Sequence, residues 1–381
     1  MATTPPTTSM TSQGRRLFTG TDTSAERPVE YRFRPAGNGN RHLVVVFANF
    51  DAPQDYGWSN GVLDNLRANV LWIRDRFDGH NSYYLCGNGD FAVERSVLAT
   101  IDRFLDALGL TRDGCTLLGS SKGASAALHY GLAYGFKNIV AAAPQFSIGT
   151  YVREVHPRTA RAMMGDDFGE DEVRELDSRL PDLVRAERHR DANIYLLSSP
   201  ADEQYASQIR PHLLHFDGYD NFNFIFTDSP FVPDHTRVAG RNVPVIIGIL
   251  NLLIDGIAPR IGFVRNGYED PAADRAALNT YLEATAAPGT WISPPVVTTL
   301  ASGETVNFMG TAREAVTVQF WENGRYVGKT GVGADGTWAW KRDTAWPTGR
   351  HTLRTFATNA HGVESERTTF TFTAEAVDAH V

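Results

Sequence analysis

Cysteine is scarce in this sequence of 381 residues, which contains only Cys86 and Cys115. Each lies in an apolar, strand-like run, so we interpret both as buried free thiols, and a disulfide between them is the weaker alternative. No group of cysteine and histidine residues has the spacing of a metal site. The sequence therefore predicts a fold without a disulfide framework, and no residue pattern indicates a metal or another cofactor.

Positive charge and long apolar runs are also limited. Lys and Arg total 36 against 44 Asp and Glu, and the resulting net charge of −8 argues against nucleic acid or an anionic membrane as a partner. The longest apolar stretch, 243–257, is too short to span a bilayer and contains Asn251 and Asp255. The N-terminus has no apolar core of signal-peptide length. We expect a cytoplasmic protein without a membrane span, whose oligomeric state stays open.

What the sequence does contain is typical of a globular protein with two domains. Hydrophobic residues make up 42% and charged residues 21%, and a chain of 381 residues is too long for one ordinary core. Residues 1–29 are rich in Thr, Pro and Ser, and we predict a disordered tail there. Continuous apolar runs over 30–257 predict strands buried on both faces of a mostly parallel, doubly wound α/β sheet covered by helices. The predicted strands cover 43–50, 69–75, 115–120, 138–145, 193–200 and 222–228.

Two further segments interrupt or follow this pattern. The charged stretch 150–190 predicts a helical cap insertion over the strand ends, or else a solvated helix pair with no role in the site. A helical linker is predicted over 258–293. Over 294–376 apolar residues recur at every second position between turn signals, and about seven short strands predict an all-β, immunoglobulin-like sandwich. Trp338 and Trp340 are interpreted as core residues of this domain.

The sequence GSSKG at 119–123 follows a buried strand and opens an alanine-rich helix. This is the context of a nucleophile elbow, in which a serine sits on a sharp turn above the sheet. The register selects Ser121 as the nucleophile and leaves Ser120 as a packing residue. Gly119 and Gly123 then occupy the positions where backbone and neighbouring strands approach closely. The alternative is a Gly/Ser-rich turn without chemistry.

A serine nucleophile needs a base, and the base needs an orienting acid. Asp202 follows the strand predicted at 193–200, and His235 follows the strand predicted at 222–228, so the order Ser121, Asp202, His235 matches that of α/β hydrolases. Less favoured candidates are kept as alternatives. The alternative bases are His129, His212 and His215, and the alternative acids are Glu203 and Asp228. Asp234 is disfavoured, because the side chains of adjacent residues such as Asp234 and His235 usually diverge.

The oxyanion hole is predicted to use backbone N–H groups. One comes from Lys122, the residue after the nucleophile, and the other comes from Asn49 or Phe50 in the loop after the early strand. The side chain of Lys122 has two interpretations: it points to solvent, or it adds positive charge towards an anionic group of the substrate.

Across 30–257 the chain resembles the α/β hydrolases. Its GSSKG elbow and the tyrosine-bearing helix after it are similar to proteins found with bacterial capsule-polysaccharide and accessory-secretion gene sets. The segments DGTWAW and GRHTLRTFATNAHG resemble bacterial Ig-like modules appended to surface and carbohydrate-active proteins, so an extracellular or cell-surface location is the alternative to the cytoplasm. The resemblance implies acyl-ester chemistry on sugars or glycoproteins, by O-deacetylation or O-acetyl transfer.

Three functional hypotheses follow. The first is a serine acyl-ester hydrolase acting on a small-molecule or glycan ester. The second is an O-acyltransferase that uses the same triad on a surface polysaccharide. The third is a noncatalytic assembly or adaptor protein that keeps the fold for binding.

Overall fold

The computed structural model describes residues 7–10, 14–37, 39–50, 52–270, 272–287, 289–301 and 306–374. The chain divides into two compact units, residues 1–269 and residues 270–381. Each unit has its own hydrophobic core. The division falls about a dozen residues after the predicted end of the α/β region.

The first unit is built on one large sheet. Across the sheet the order is β1-β2-β3-β5-β4-β6-β7-β8-β9-β10. All neighbours from β5 to β10 are parallel, whereas β1, β2, β3 and β5 pair antiparallel. The predicted mostly parallel sheet is therefore confirmed. Its strands are β1 (Thr7–Met10), β2 (Arg16–Asp22), β3 (Val29–Arg34), β4 (Leu43–Phe47), β5 (Asn69–Ile73), β6 (Cys115–Ser120), β7 (Asn138–Ala142), β8 (Asn193–Ser198), β9 (Asn221–Thr227) and β10 (Phe263–Asn266).

Helices cover both faces of this sheet. On one face α1, α2 and α5 pack with Val45 and Phe47 of β4, and on the other face α7 packs with Val44 and Val46 of the same strand. Burial on both faces explains why β4 reads as an unbroken apolar run. The helices are α1 (Ala92–Leu108), α2 (Lys122–Tyr134), α3 (Ile148–Val155), α4 (Pro157–Met164), α5 (Glu170–Ala186), α6 (His235–Arg241) and α7 (Val243–Ile254).

Both ends of the sheet extend beyond the predicted limits. Residues 16–22, expected in a disordered tail, form β2, which places Phe18 opposite Phe33 of β3. Residues 263–266, expected in a helical linker, form β10, which pairs in parallel with β9. In each case the added strand satisfies backbone groups along an otherwise open edge, a stabilisation that side-chain composition does not reveal.

The stretch 150–190, predicted as a cap insertion or a solvated helix pair, corresponds to the three helices α3, α4 and α5. Its longest helix, α5, belongs to the crossover that a parallel step from β7 to β8 requires, and its Leu180 and Val184 lie in the same core cluster as residues of α1 and α2. The first half of α5, through Val173 and Leu176, packs together with α3 and α4 against Tyr83 and Leu85 of the loop after β5. That these helices cap the strand ends stays a prediction.

Within the described ranges, no single helix is long and apolar enough to cross a bilayer. The pair α6 and α7 reaches that length and composition together, but its two helices are bent by 51°.

The second unit contains α8 (Ala276–Thr285) and two antiparallel sheets. Their orders are β11-β12-β15 and β14-β13-β16-β17. The sheets share a core in which Phe320 stacks on Trp340 at 4.2 Å between ring centroids, and Trp338 is buried beside them. The strands are β11 (Val296–Ala301), β12 (Asn307–Thr311), β13 (Thr317–Glu322), β14 (Arg325–Gly331), β15 (Thr337–Lys341), β16 (Gly349–Thr358) and β17 (Thr368–Ala374).

Candidate active site

Ser121 lies on the sharp turn between β6 and α2. Its φ of 53° and ψ of −125° are unusual for a residue with a side chain. The turn is held because the N–H of Ser121 donates to the carbonyl of Ala142 at 2.8 Å, and its carbonyl accepts from Ala124. A serine held at positive φ between a parallel strand and a helix is the geometry of a nucleophile elbow.

The two flanking glycines are required by close backbone contacts. A Cβ on Gly119 would lie 2.0 Å from the carbonyl oxygen of Gly123. A Cβ on Gly123 would lie 2.3 Å from the carbonyl oxygen of Phe47 in β4. No side chain fits either position without moving backbone, which is the role that the sequence predicted for both glycines.

The structure brings Ser121, His235 and Asp202 into one hydrogen-bonded chain. Nε2 of His235 lies 2.9 Å from Oγ of Ser121, and Nδ1 lies 3.1 Å from both carboxylate oxygens of Asp202. Asp202 follows β8 and His235 opens α6 after β9, so the carboxyl ends of neighbouring parallel strands deliver all three residues to one edge of the sheet. The Asp202 carboxylate is fully buried and the imidazole is 10% exposed.

The alternative bases lie in other environments. His129 contacts the buried carboxylate of Glu94 through Nε2 at 2.6 Å. His212 stacks on Phe146 at 4.6 Å between centroids, and burial lowers its pKa to about 4. His215 lies beside His212 on the same helical turn.

The alternative acids likewise have other partners. Asp228 pairs with Arg265. Asp234 caps α6 by accepting from the N–H of Thr236 at 2.9 Å. Glu203 accepts from the backbone N–H of His235 at 3.0 Å, so it helps to fix the position of that residue without touching its ring.

The side chain of Lys122 matches neither predicted interpretation. It is fully buried, and Nζ forms an ion pair with the fully buried Asp75 and donates to Oδ1 of Asn81 at 3.0 Å. Asp75 also accepts from the backbone N–H groups of Ser82 and Tyr83. Burial lowers the pKa of Lys122, and the Asp75 carboxylate opposes that shift. The side chain anchors the start of α2 to the loop after β5.

The predicted oxyanion donors lie around the elbow. As the first residue of α2, Lys122 has a backbone N–H without an acceptor inside the helix. Asn49 and Phe50 follow β4, which pairs with β6 beside the elbow. The preceding N–H, that of Ala48, is engaged by the hydroxyl of Tyr84 at 2.7 Å. The choice between Asn49 and Phe50 stays a prediction.

Sequence reasoning missed Gln145, whose fully buried amide donates from Nε2 to Oγ of Ser121 at 3.0 Å. The signal available was position alone, since Gln145 follows β7 at the same edge of the sheet as Asp202 and His235. A polar residue just after a buried parallel strand is a candidate site residue on that ground.

A cleft with a volume of about 480 Å³ lies between the loop after β5 and α4. Asn81 and Ser82, which surround the Lys122–Asp75 pair, form part of its wall. Its basic residues are Arg27, His80, Arg158 and Arg161, and its acidic residues are Asp78 and Asp166. In the parts of the chain that the structure describes, no group of His, Cys, Asp and Glu could hold a metal ion. Cys86 and Cys115 are buried and unpaired.

No family model matches this chain, and no curated protein matches it in sequence. Solved structures do match. The capsule O-acetyltransferase of Neisseria meningitidis serogroup A is 18% identical, covering 63% of this chain and 96% of its own, with a TM-score of 0.51. A variant of that enzyme in which a histidine is replaced by alanine, in complex with CoA, is 16% identical, covering 61% of this chain and 94% of its own, with a TM-score of 0.50. An S-formylglutathione hydrolase from Agrobacterium tumefaciens is 14% identical, covering 68% and 100%, with a TM-score of 0.46. At this identity the likeness to the acetyltransferase shows a common fold.

Proposed function

We propose that this chain is a serine acyl-ester hydrolase in which Ser121 is the nucleophile, His235 the base and Asp202 the orienting acid. The observation that carries the proposal is the continuous hydrogen-bonded chain from Oγ of Ser121 through the imidazole to the buried carboxylate. The positive φ of Ser121 also supports the proposal, because strained backbone conformations cluster at active sites. The tight turn is possible because Gly119 and Gly123 on either side have no Cβ that would meet neighbouring backbone.

The geometry suits acyl transfer through a covalent acyl-enzyme. Oγ of Ser121 attacks the ester carbonyl carbon while its proton passes to Nε2 of His235, and Asp202 stabilises the imidazolium that forms. The N–H of Lys122 and one from Asn49 or Phe50 donate to the carbonyl oxygen as it becomes negative. His235 then returns the proton to the leaving alcohol. In the second half of the reaction water attacks the acyl carbon and gives a proton to His235, and the acid is released as Oγ of Ser121 takes that proton back.

The substrate class that we propose is an acylated carbohydrate or a related ester. Two observations support this choice. The GSSKG elbow resembles proteins found with bacterial capsule-polysaccharide gene sets, and the fold is similar to that of a capsule O-acetyltransferase. The β-sandwich unit, with its two sheets, is proposed as an accessory Ig-like module that positions a larger substrate. A noncatalytic adaptor remains the competing hypothesis, and the intact triad geometry argues against it.

Labelling with a fluorophosphonate probe tests the proposal. The wild-type chain should react and should hydrolyse a small acetyl ester, because the probe requires an activated serine. Ser121→Ala should abolish both, while the neighbouring Ser120→Ala serves as the matched control and should retain both. Labelling that survives in Ser121→Ala would place the nucleophile elsewhere. A folded wild-type chain that neither reacts nor hydrolyses esters would favour the adaptor hypothesis.

A second candidate is O-acyl transfer from an anionic donor. The cleft next to the Lys122–Asp75 pair favours it, because its three arginines outnumber its two carboxylates. Arg27 already pairs with Asp78, so we propose that Arg158 and Arg161 bind the phosphates of a thioester donor such as acetyl-CoA. Thiol release from acetyl-CoA should then depend on a glycan acceptor and fall in Arg158→Ala/Arg161→Ala. Thiol release that is absent with and without acceptors, alongside hydrolysis of simple esters, would leave the hydrolase alone.

A further inference from the structure

Gln145 is held rigidly next to the nucleophile. Its backbone N–H donates to Oγ of Ser125 at 2.9 Å, and the same hydroxyl donates back to its carbonyl at 2.8 Å. The two following N–H groups, of Phe146 and Ser147, both donate to Oε1 of Gln208. Gln145 itself is fully buried. The loop after β7 is therefore fixed to α2 by Ser125 and to the segment after β8 by Gln208.

All the hydrogen-bonding groups of the Gln145 side chain are engaged. Nε2 donates one hydrogen to Oγ of Ser121 at 3.0 Å and the other to Oε1 of Gln204 at 2.8 Å. Oε1 accepts from the hydroxyl of Tyr83 at 3.2 Å. An amide offers two donors and one acceptor oxygen, so this site fixes both its position and its direction.

The neighbours of Gln145 determine which end of the amide faces the nucleophile. Ser121 has one hydroxyl proton, which points to Nε2 of His235, so its remaining lone pairs accept a hydrogen bond. An N–H meets that need, and a carbonyl oxygen would repel it. Burial raises the pKa of Tyr83, which keeps its hydroxyl protonated and able to donate to Oε1.

The same network joins the nucleophile to the acid. Gln204 accepts from Gln145, and its own backbone N–H donates to Oδ1 of Asp202 at 2.9 Å. Gln145 thus touches the reacting oxygen directly and is supported from the loops that follow β5 and β8.

We propose that Gln145 is a catalytic residue whose side-chain amide stabilises the negative charge that develops on Oγ of Ser121 during attack. In that step the Oγ–H bond breaks ahead of full bond formation to carbon, so negative charge builds transiently on Oγ as its proton goes to Nε2 of His235. The electron pair on Oγ forms the bond to the acyl carbon, and the carbonyl π pair moves onto the carbonyl oxygen. Hydrogen bonds to an oxygen that is becoming anionic are stronger than those to a neutral hydroxyl, so the amide favours the transition state over the ground state.

This inference rests on the proposed hydrolase function and adds a donor that acts on the nucleophile instead of on the substrate oxygen. A structural role for Gln145 is the competing explanation. Gln208 is a matched control, because it is a buried glutamine that holds the same loop through the backbone N–H groups of Phe146 and Ser147 and not through Ser121.

The experiment measures the rate constant for fluorophosphonate inactivation as a function of pH, in the wild-type chain, Gln145→Met, Gln145→Glu and Gln208→Met. Gln145→Met should react about 30-fold more slowly. This is less than the roughly two to three orders of magnitude that loss of an oxyanion-hole donor costs, because most of the charge develops on the carbonyl oxygen and not on Oγ. In Gln145→Glu the rate relative to wild type should fall further as pH rises, because ionisation of the new carboxyl places a negative charge beside Oγ. Gln208→Met should stay within about threefold of wild type.

Two results would overturn the proposal. One is a folded Gln145→Met that reacts within about twofold of wild type, and the other is an equal loss in Gln145→Met and Gln208→Met. If Gln145→Met fails to fold, Gln145→Glu decides, since it retains an acceptor for Tyr83 and its rate ratio to wild type must depend on pH. If the wild-type chain does not react with the probe, both the hydrolase proposal and the role of Gln145 are overturned. If the wild-type chain is labelled and Ser121→Ala is not, the hydrolase proposal holds, and either of the two results above then overturns the role of Gln145 alone.

Discussion

Replacing Lys122 by methionine tests the buried anchor beneath the elbow. The side chain is 0% exposed, and its ammonium pairs with an Asp75 carboxylate that is also 0% exposed. Methionine keeps most of the aliphatic volume and removes only the charge and its three donors. The change therefore leaves a carboxylate in the interior without its counter-charge and Asn81 without its donor.

The contacts set the expected size of the loss. Removing one partner of a buried ion pair costs about 3–5 kcal/mol, because the other charge stays desolvated. Asp75 keeps the hydrogen bonds from Ser82 and Tyr83, which favours the lower half of that range. The ammonium also lies 5.1 Å from the ring centroid of Tyr84, a contact worth roughly 0.5–1 kcal/mol. Together these contributions give an expected loss of about 4–5 kcal/mol in the free energy of unfolding.

Urea unfolding followed by circular dichroism measures this loss, and Asp75→Asn completes a double-mutant cycle. The double variant should be more stable than the sum of the single effects by about 2 kcal/mol, since each single change strands the partner of the other. Ester hydrolysis per folded molecule should also fall about tenfold in Lys122→Met, because the same residue supplies the predicted oxyanion N–H. A change of less than 1 kcal/mol would refute the buried pair and restore the solvent-facing interpretation. If stability is unchanged and only the binding of anionic esters is weaker, the interpretation in which Lys122 points towards an anionic group of the substrate would be restored.

Two further predictions concern pH and domain independence. Burial alone would raise the pKa of Glu94, but hydrogen bonds from His129 and Tyr134 and the charge of Arg179 lower it from 4.5 to about 2. The native state then binds fewer protons than the unfolded state between these values, so about 3 kcal/mol of stability, present above pH 4.5, should be lost as pH falls towards 2. Unfolding of wild type and Glu94→Gln at pH 7 and pH 3 measures this, and an equal gap at both values would contradict it. A chain ending at Glu269 should fold and hydrolyse a small ester, because β10 is retained and the second unit has a separate core. A folded but inactive shortened chain would contradict this.

The central strands and the spacing of the candidate triad could be predicted because each depends on short-range sequence. β4 reads as a buried strand since both of its faces are covered, and the elbow pattern specifies its turn through glycines that no side chain could replace. Asp202 and His235 could be located by asking only which polar residues follow the last parallel strands. Their catalytic roles stay predictions.

The edges of the sheet could not be predicted in this way. β2 has intermediate or exposed residues throughout, and β10 spans only four residues. β2 is stabilised by backbone pairing with β1 and β3, and β10 is stabilised by pairing with β9, from which α6 and α7 separate it in sequence. Backbone pairing does not require a strong apolar periodicity, and neither strand has one. The crossover α5 was assigned to a cap because its exposed face is highly charged, although Leu180 and Val184 belong to the main core.

Lys122 and Gln145 show a different limit. A lysine at the start of a helix is usually solvated, and a glutamine after a strand is usually a surface residue, so composition gives the wrong environment for both. Each is buried here because a residue about fifty to sixty positions earlier in the chain satisfies its polar group. Asp75 forms an ion pair with the ammonium of Lys122, and the hydroxyl of Tyr83 donates to the amide oxygen of Gln145. Both partners lie in the loop after β5, which carries no recognised motif. That loop therefore contacts the residue after the nucleophile through Asp75 and the amide of Gln145 through Tyr83. Substitutions in the loop should change the reactivity of Ser121 although they leave the triad residues unchanged.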